Sequence, residues 1–162
     1  MWRSTLDTPV GRLNLAVDDT GVLIEVRLPN RRRDDVSPGL AGAARAGMDA
    51  AKIQLDEYFA GKRRTFELQM QPRGSSFERS VWDLLREIPY GKTTSYGAIA
   101  AALGLTNGAR AVGRANGSNP LPIVIPCHRV IGSDGTLTGY GGGLPLKRVL
   151  LELEGAIAPS ML

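Results

Sequence analysis

The chain reads as an α+β protein, with a small sheet-plus-helix unit followed by a mostly helical unit that contains a helix-turn-helix. Three observations lead there. Two strand-like stretches joined by turn residues lie near the start, and apolar residues recur at helical spacing from Gly42 onward. Then "QPRGSS", residues 71–76, interrupts any element with Pro72 and Gly74 before a second helical run begins. The expected domains are 1–73, a structural α+β domain, and 74–162, the domain of the helix-turn-helix and of the reactive residues.

In the first domain "GRLNLAV" alternates Leu13, Leu15 and Val17 on one face, and "GVLIEVRL" is rich in β-branched residues. Asp19-Thr20-Gly21 between them is turn chemistry, so the pair reads as a hairpin. The run Arg31-Arg32-Arg33 reads as a solvated loop, because Asp34 and Asp35 follow directly. From Gly42 to Phe59, Ala44, Met48, Ala51, Leu55, Tyr58 and Phe59 mark a helix, and "RTFELQM" reads as a further strand. No short motif in this half carries chemistry.

The second domain opens with Ser75 and Glu78 at capping-box spacing, ahead of a helical face of Phe77, Val81, Leu84, Leu85 and Ile88 that ends at Pro89-Tyr90-Gly91. Two short helices follow, about 95–103 and 108–116, joined by "GLTN" at helix-turn-helix spacing. The second is bare: Ala109, Ala111, Gly113, Ala115 and Gly117 alternate with Arg110 and Arg114. Glycines cost helix propensity, so close approach to another surface is the reason to keep them, and few side chains remain to read base edges. Either this hairpin meets a nucleic acid through phosphates and groove shape, or it packs inside the core.

Composition narrows the classes. The net charge is +4, and between Ile88 and Ser133 Lys92, Arg110, Arg114 and Arg129 stand with no Asp or Glu, so a polyanion meets no repulsion from that segment. No run of eighteen apolar residues suggests a membrane span, and the opening "MWRSTLDTPVGRLNLAV" has charge and proline where a signal peptide is apolar. The expectation is a cytoplasmic protein. One cysteine and one histidine supply neither an internal disulfide nor the ligands of a structural zinc site, so no metal is expected.

That cysteine and that histidine are neighbours in "IVIPCHRVIG", where "LPIVIP" reads as a strand ending at Pro126. Cys127 beside His128 and Arg129 is either an activated thiol or a small residue of the core. Adjacent residues on a strand point to opposite faces, so a bridging water or a turn is needed for the two to cooperate. The final helix, opened by Pro145 and closed by Gly155, is expected to bury Leu146, Val149, Leu150, Leu153 and Ile157. Glu154 lies at the edge of that stripe, either oriented on His128 or paired within its own helix. Before it, "GTLTGYGGG" is a glycine loop carrying Tyr140.

"IPCHRVIG", "SYGAIA", "ARAVGRANGSNP" and "GYGGG" followed by Glu154 occur in an order and spacing that resemble the O6-alkylguanine-DNA alkyltransferases, from Phe77 to Glu154. The resemblance implies a winged-helix-like helix-turn-helix and a single-turnover repair reaction. In it Cys127 takes an alkyl group from O6 of a flipped-out guanine and becomes S-alkylcysteine, with transfer from O4 of O4-alkylthymine an open second reaction. It implies His128 as a base acting through a water, Glu154 holding the imidazole, Asn119 bracing the reader segment, and Tyr96 turning the nucleotide and contacting the purine. Arg110 would fill the vacated stack, with Ala109, Gly113, Arg114 and Ser133 at the DNA. The carbonyls of Cys127 and Val130, with Asn116, Tyr140 and Gly141, would form the guanine pocket. Gly141 stands where some members have a serine, and the zinc ligands of some members' N-terminal unit are missing. The expected partner is double-stranded DNA, entered through the minor groove without sequence preference by a monomer that needs no cofactor. Two rivals remain, a non-catalytic damage sensor or DNA-binding module and a Cys-His hydrolase.

Overall fold

The computed structural model describes residues 1–31 and 35–159, so Arg32, Arg33 and Asp34 of the arginine run lie outside the described residues. The chain folds as two compact units, Met1–Arg73 and Gly74–Leu162, and is α+β as expected.

The first unit carries an antiparallel sheet of β1 (Trp2–Thr8), β2 (Gly11–Val17) and β3 (Leu23–Arg27) in that order. In β1, which the sequence reading missed, polar residues surround Trp2 and Leu6 and no residue is fully buried, as befits an edge strand. β2 is central, and Leu13 to Val17 are all buried, so the solvent face implied by its alternation does not exist. Ala16 is small enough for that second face, and Asn14 is satisfied there: it accepts from Arg3 (3.0 Å) and donates to the carbonyl of Asp35 (3.1 Å).

Helix α1 (Gly42–Phe59) packs on the sheet through Ala44, Met48, Ala51, Leu55 and Tyr58. Its Gly47 meets Gly21 of the β2–β3 turn so closely that a Cβ on Gly47 would lie 2.0 Å from the Gly21 carbonyl oxygen. The expected strand "RTFELQM" does not form. Only Met70 bridges to Leu23, and Glu67 pairs instead with the side-chain amide of Gln54, which replaces a neighbouring strand's backbone.

In the second unit Ser75 and Glu78 form the capping box at the start of α2 (Ser76–Arg86). The buried face is Val81, Trp82 and Leu85, while Phe77 is exposed. Trp82, outside the expected face, is buried with its indole donating to the carbonyl of Ala115 (2.8 Å). Next come β4 (Thr94–Ser95), α3 (Tyr96–Ala102) and α4 (Ala109–Gly117), with α3 and α4 packed together as the spacing predicts.

Strand β5 (Val130–Ile131) lies parallel to β4, and α5 (Leu144–Leu153) closes the unit. The expected strand "LPIVIP" is a tight buried turn in which Ile123 takes φ 75°. Prolines 120, 122 and 126 cannot donate to a strand ladder, so the turn pairs with itself, Ile125 donating to the carbonyl of Leu121 (2.8 Å). Among the described residues no helix is long and apolar enough to cross a membrane.

Candidate active site

Cys127, His128 and Arg129 form one 3-10 turn between the proline-rich turn and β5, all three buried. This turn supplies what an extended strand could not: neighbouring residues whose side chains need not point to opposite faces. Asn119 sets it in place. The Asn119 amide donates to the carbonyl of Ile125 (2.8 Å) and its oxygen accepts from the backbone of Leu121 (2.9 Å), as a strand neighbour would. From α4, Asn116 donates to the carbonyl of Cys127 (3.2 Å).

Helix α5 contributes differently from the expectation. Its buried stripe is Lys147, Leu150 and Leu151, continued by Glu154, whereas Val149 is exposed and Leu146 and Leu153 are half-buried. The rotation brings a charge to each end of the stripe. Glu154 is fully enclosed rather than half solvated, and it serves two partners: His128 Nε2 at 2.7 Å, and Arg129, which donates from Nε to Oε1 (2.8 Å) and from Nη2 to Oε2 (3.0 Å). The remaining Nη1 of Arg129 donates to the carbonyl of Ile88 (2.7 Å). Arg129 therefore belongs to the interior and not to a surface that meets polyanions.

A carboxylate can only accept, so Nε2 of His128 carries the proton, and Nδ1, buried and without a protein hydrogen bond, presents a lone pair. Burial pushes the imidazole below its ordinary value, and the hydrogen bond and charge of Glu154 only partly oppose it. The histidine is therefore neutral at physiological pH. Burial likewise pushes the Cys127 thiol up, against the hydrogen bonding of Asn119, the charge of Lys147 and the hydrogen bonding of Tyr140, all of which favour the thiolate. A protonated thiol followed in the same turn by a neutral imidazole is the resting state.

Lys147, unnoticed in the sequence, is 0% exposed. Its ammonium donates to the carbonyls of Val130 (2.5 Å) and Thr138 (2.8 Å) and lies 6.0 Å from the centre of the Tyr96 ring. Desolvation brings it down to about 8, against the pull of Cys127. The signal was available, since Lys147, Leu150, Leu151 and Glu154 follow i, i+3, i+4, i+7, but a stripe drawn from apolar residues alone passes over it.

Tyr96 begins α3, its phenol oxygen hydrogen-bonded to Thr138 Oγ1 (3.3 Å), and its ring stands beside Gly113 of α4, where a Cβ would come within 3.8 Å. That is ordinary contact, so nothing in this packing requires a glycine at position 113. Ala109, Arg110 and Arg114 are exposed along α4, and Ser133 is exposed after β5. Tyr140 and Gly141 are half-buried in the glycine loop, and Val130 is buried.

The chain matches two family profiles in succession: "6-O-methylguanine DNA methyltransferase, ribonuclease-like domain" over residues 1–72, and "6-O-methylguanine DNA methyltransferase, DNA binding domain" over residues 76–156. It is 48% identical to the methylated-DNA–protein-cysteine methyltransferase of Mycolicibacterium paratuberculosis, covering 98% of this chain and 94% of that one. It is 40% identical to the enzyme of the same name from Methanosarcina acetivorans, with coverage of 96% and 99%. Among solved structures, Mycobacterium tuberculosis OGT in complex with DNA superposes with a TM-score of 0.81 at 43% identity, over 98% of this chain and 95% of that one. By sequence over both halves and by fold, the chain belongs to the 6-O-methylguanine DNA methyltransferase family.

Proposed function

We propose that the protein repairs alkylated DNA directly, moving an alkyl group once from O6 of a guanine in duplex DNA to the sulfur of Cys127. The observation that carries this reading is the buried Glu154–His128 pair, whose histidine shares one 3-10 turn with the chain's single thiol and keeps Nδ1 as a base. The thiol proton passes to Nδ1 through a water. The thiolate attacks the alkyl carbon, the S–C bond forming as the C–O6 bond breaks, and the bonding pair leaves with the purine, which takes a proton from the Tyr96 phenol. The thioether product has no ready route back to thiol, so each molecule acts once, without a cofactor.

The second unit holds both the DNA contact and the thiol, and the first is structural. Arg110 fills the stack left by the extruded nucleotide, and Ala109, Gly113, Arg114 and Ser133 lie along the minor groove. Tyr140 and Gly141 line the guanine pocket, where a backbone N–H at Gly141 takes the place of a serine hydroxyl. Asn116 holds the Cys127 carbonyl, while the Val130 carbonyl, already bonded to Lys147, keeps a second lone pair for the base. The protein works as a monomer in the cytoplasm, where a lone thiol stays reduced.

Peptide mass spectrometry after mixing with duplex DNA carrying one O6-methylguanine tests the reading. One added methyl per molecule, localised to Cys127, is the expected result, and Cys127→Ala should lose transfer while still binding the duplex. Unmodified protein that shifts the DNA would make it a damage sensor instead, and repeated turnover on an ester would make it a hydrolase.

A further inference from the structure

The glycine loop before α5 is tied to the site through Thr138, which neither the motifs nor the family resemblance singled out. Its carbonyl is gripped by the buried Lys147 ammonium (2.8 Å), which also holds the carbonyl of Val130 next to the reactive turn (2.5 Å). Its hydroxyl is hydrogen-bonded to the phenol oxygen of Tyr96 (3.3 Å), and the same ammonium lies 6.0 Å from that ring. Backbone and side chain of one residue thus connect α5, β5 and the start of α3.

We infer that Thr138 is a positioning residue whose hydroxyl, held in place by the Lys147 anchor on its own carbonyl, fixes the Tyr96 phenol oxygen where it meets the leaving purine. Two hydroxyls 3.3 Å apart share one hydrogen bond whichever of them donates, and a loop residue anchored through its own carbonyl restricts where the phenol oxygen can stand. A phenol held there needs no reorganisation when it meets a purine gaining charge. The idea rests on the alkyl-transfer reading for its consequence in rate, but not for its geometry.

The test compares Thr138→Val, which keeps the β-branched shape and removes the hydroxyl, with Thr138→Ser, which restores it. Tyrosine labelled with 13C at Cζ reports the hydrogen bonding of each phenol, and Tyr96→Phe identifies the Tyr96 signal. Loss of the bond should shift that resonance in Thr138→Val and return it in Thr138→Ser. Single-turnover transfer from O6-methylguanine duplex should slow by about fivefold in the valine variant, the scale of one neutral hydrogen bond, and recover in the serine variant. Duplex affinity should not change.

An unmoved Tyr96 resonance, or equal slowing in both variants, would overturn the inference. So would a shifted resonance with an unchanged rate. Wild-type protein that transferred no methyl would overturn the alkyltransferase reading separately, and the resonance would still decide whether Thr138 orients the phenol.

Discussion

Glu154 compensates a guanidinium and orients an imidazole at once, in a place without solvent. Glu154→Gln keeps the shape but leaves the Arg129 charge buried and unpaired, a change that costs about 3–5 kcal/mol in comparable sites. Urea denaturation should show a loss of that size, with transfer lost as well. His128 gives a pH effect of definite sign. Its folded-state value is depressed, so below the ordinary 6.5 the unfolded chain binds a proton that the folded chain refuses, and stability falls as pH drops through that range. Denaturation midpoints from pH 7 down to pH 5 should decline in the wild type and decline less in His128→Asn, which cannot titrate. Transfer should persist below pH 6.5, because the folded imidazole is still neutral there.

Among the elements, α4 has the most unusual composition, and no contact among the described residues requires its Gly113 or Gly117. Gly113 faces the Tyr96 ring at a distance that a methyl group tolerates, so Gly113→Ala should raise stability by about 1 kcal/mol through helix propensity alone. If α4 lies along a groove, the same substitution should weaken binding to duplex in a fluorescence anisotropy titration; unchanged affinity would argue against that placement. Gly47 in α1 is the opposite case. An alanine there collides with the backbone of Gly21, and a thermal melt should show clear destabilisation.

The helices were legible because period and capping signals agreed, down to the capping box of α2 and the bounds of α1. Elements whose partners are side chains were not. "LPIVIP" has strand composition but is completed by Asn119, and "RTFELQM" is completed by Gln54. β1 was invisible because an edge strand need not be apolar. At the site, the only thiol and the only imidazole were conspicuous, but the third dimension of α5 was not: Lys147 and Glu154 come to one buried face only once the helix is rotated away from its apparent apolar stripe.

At the scale of the whole molecule, the count of cations in the acid-free segment overstates what a polyanion can meet. Of the four cations in the acid-free segment, Arg129 is committed to Glu154, whereas Arg110 and Arg114 stand in solvent. Substituting either exposed arginine by alanine should lower the slope of log affinity for duplex against log salt by about one. The proline-flanked turn ahead of Cys127 has a further consequence, and it is kinetic. Its three prolines, its left-handed Ile123 and the double clasp of Asn119 hold the reactive turn in one shape, so that turn has no ordering to undergo when DNA arrives. The waiting time for repair then belongs to the lesion: bases in weakly stacked steps would be cleared first, and the protein would act as a stopwatch for how easily each damaged nucleotide leaves its helix.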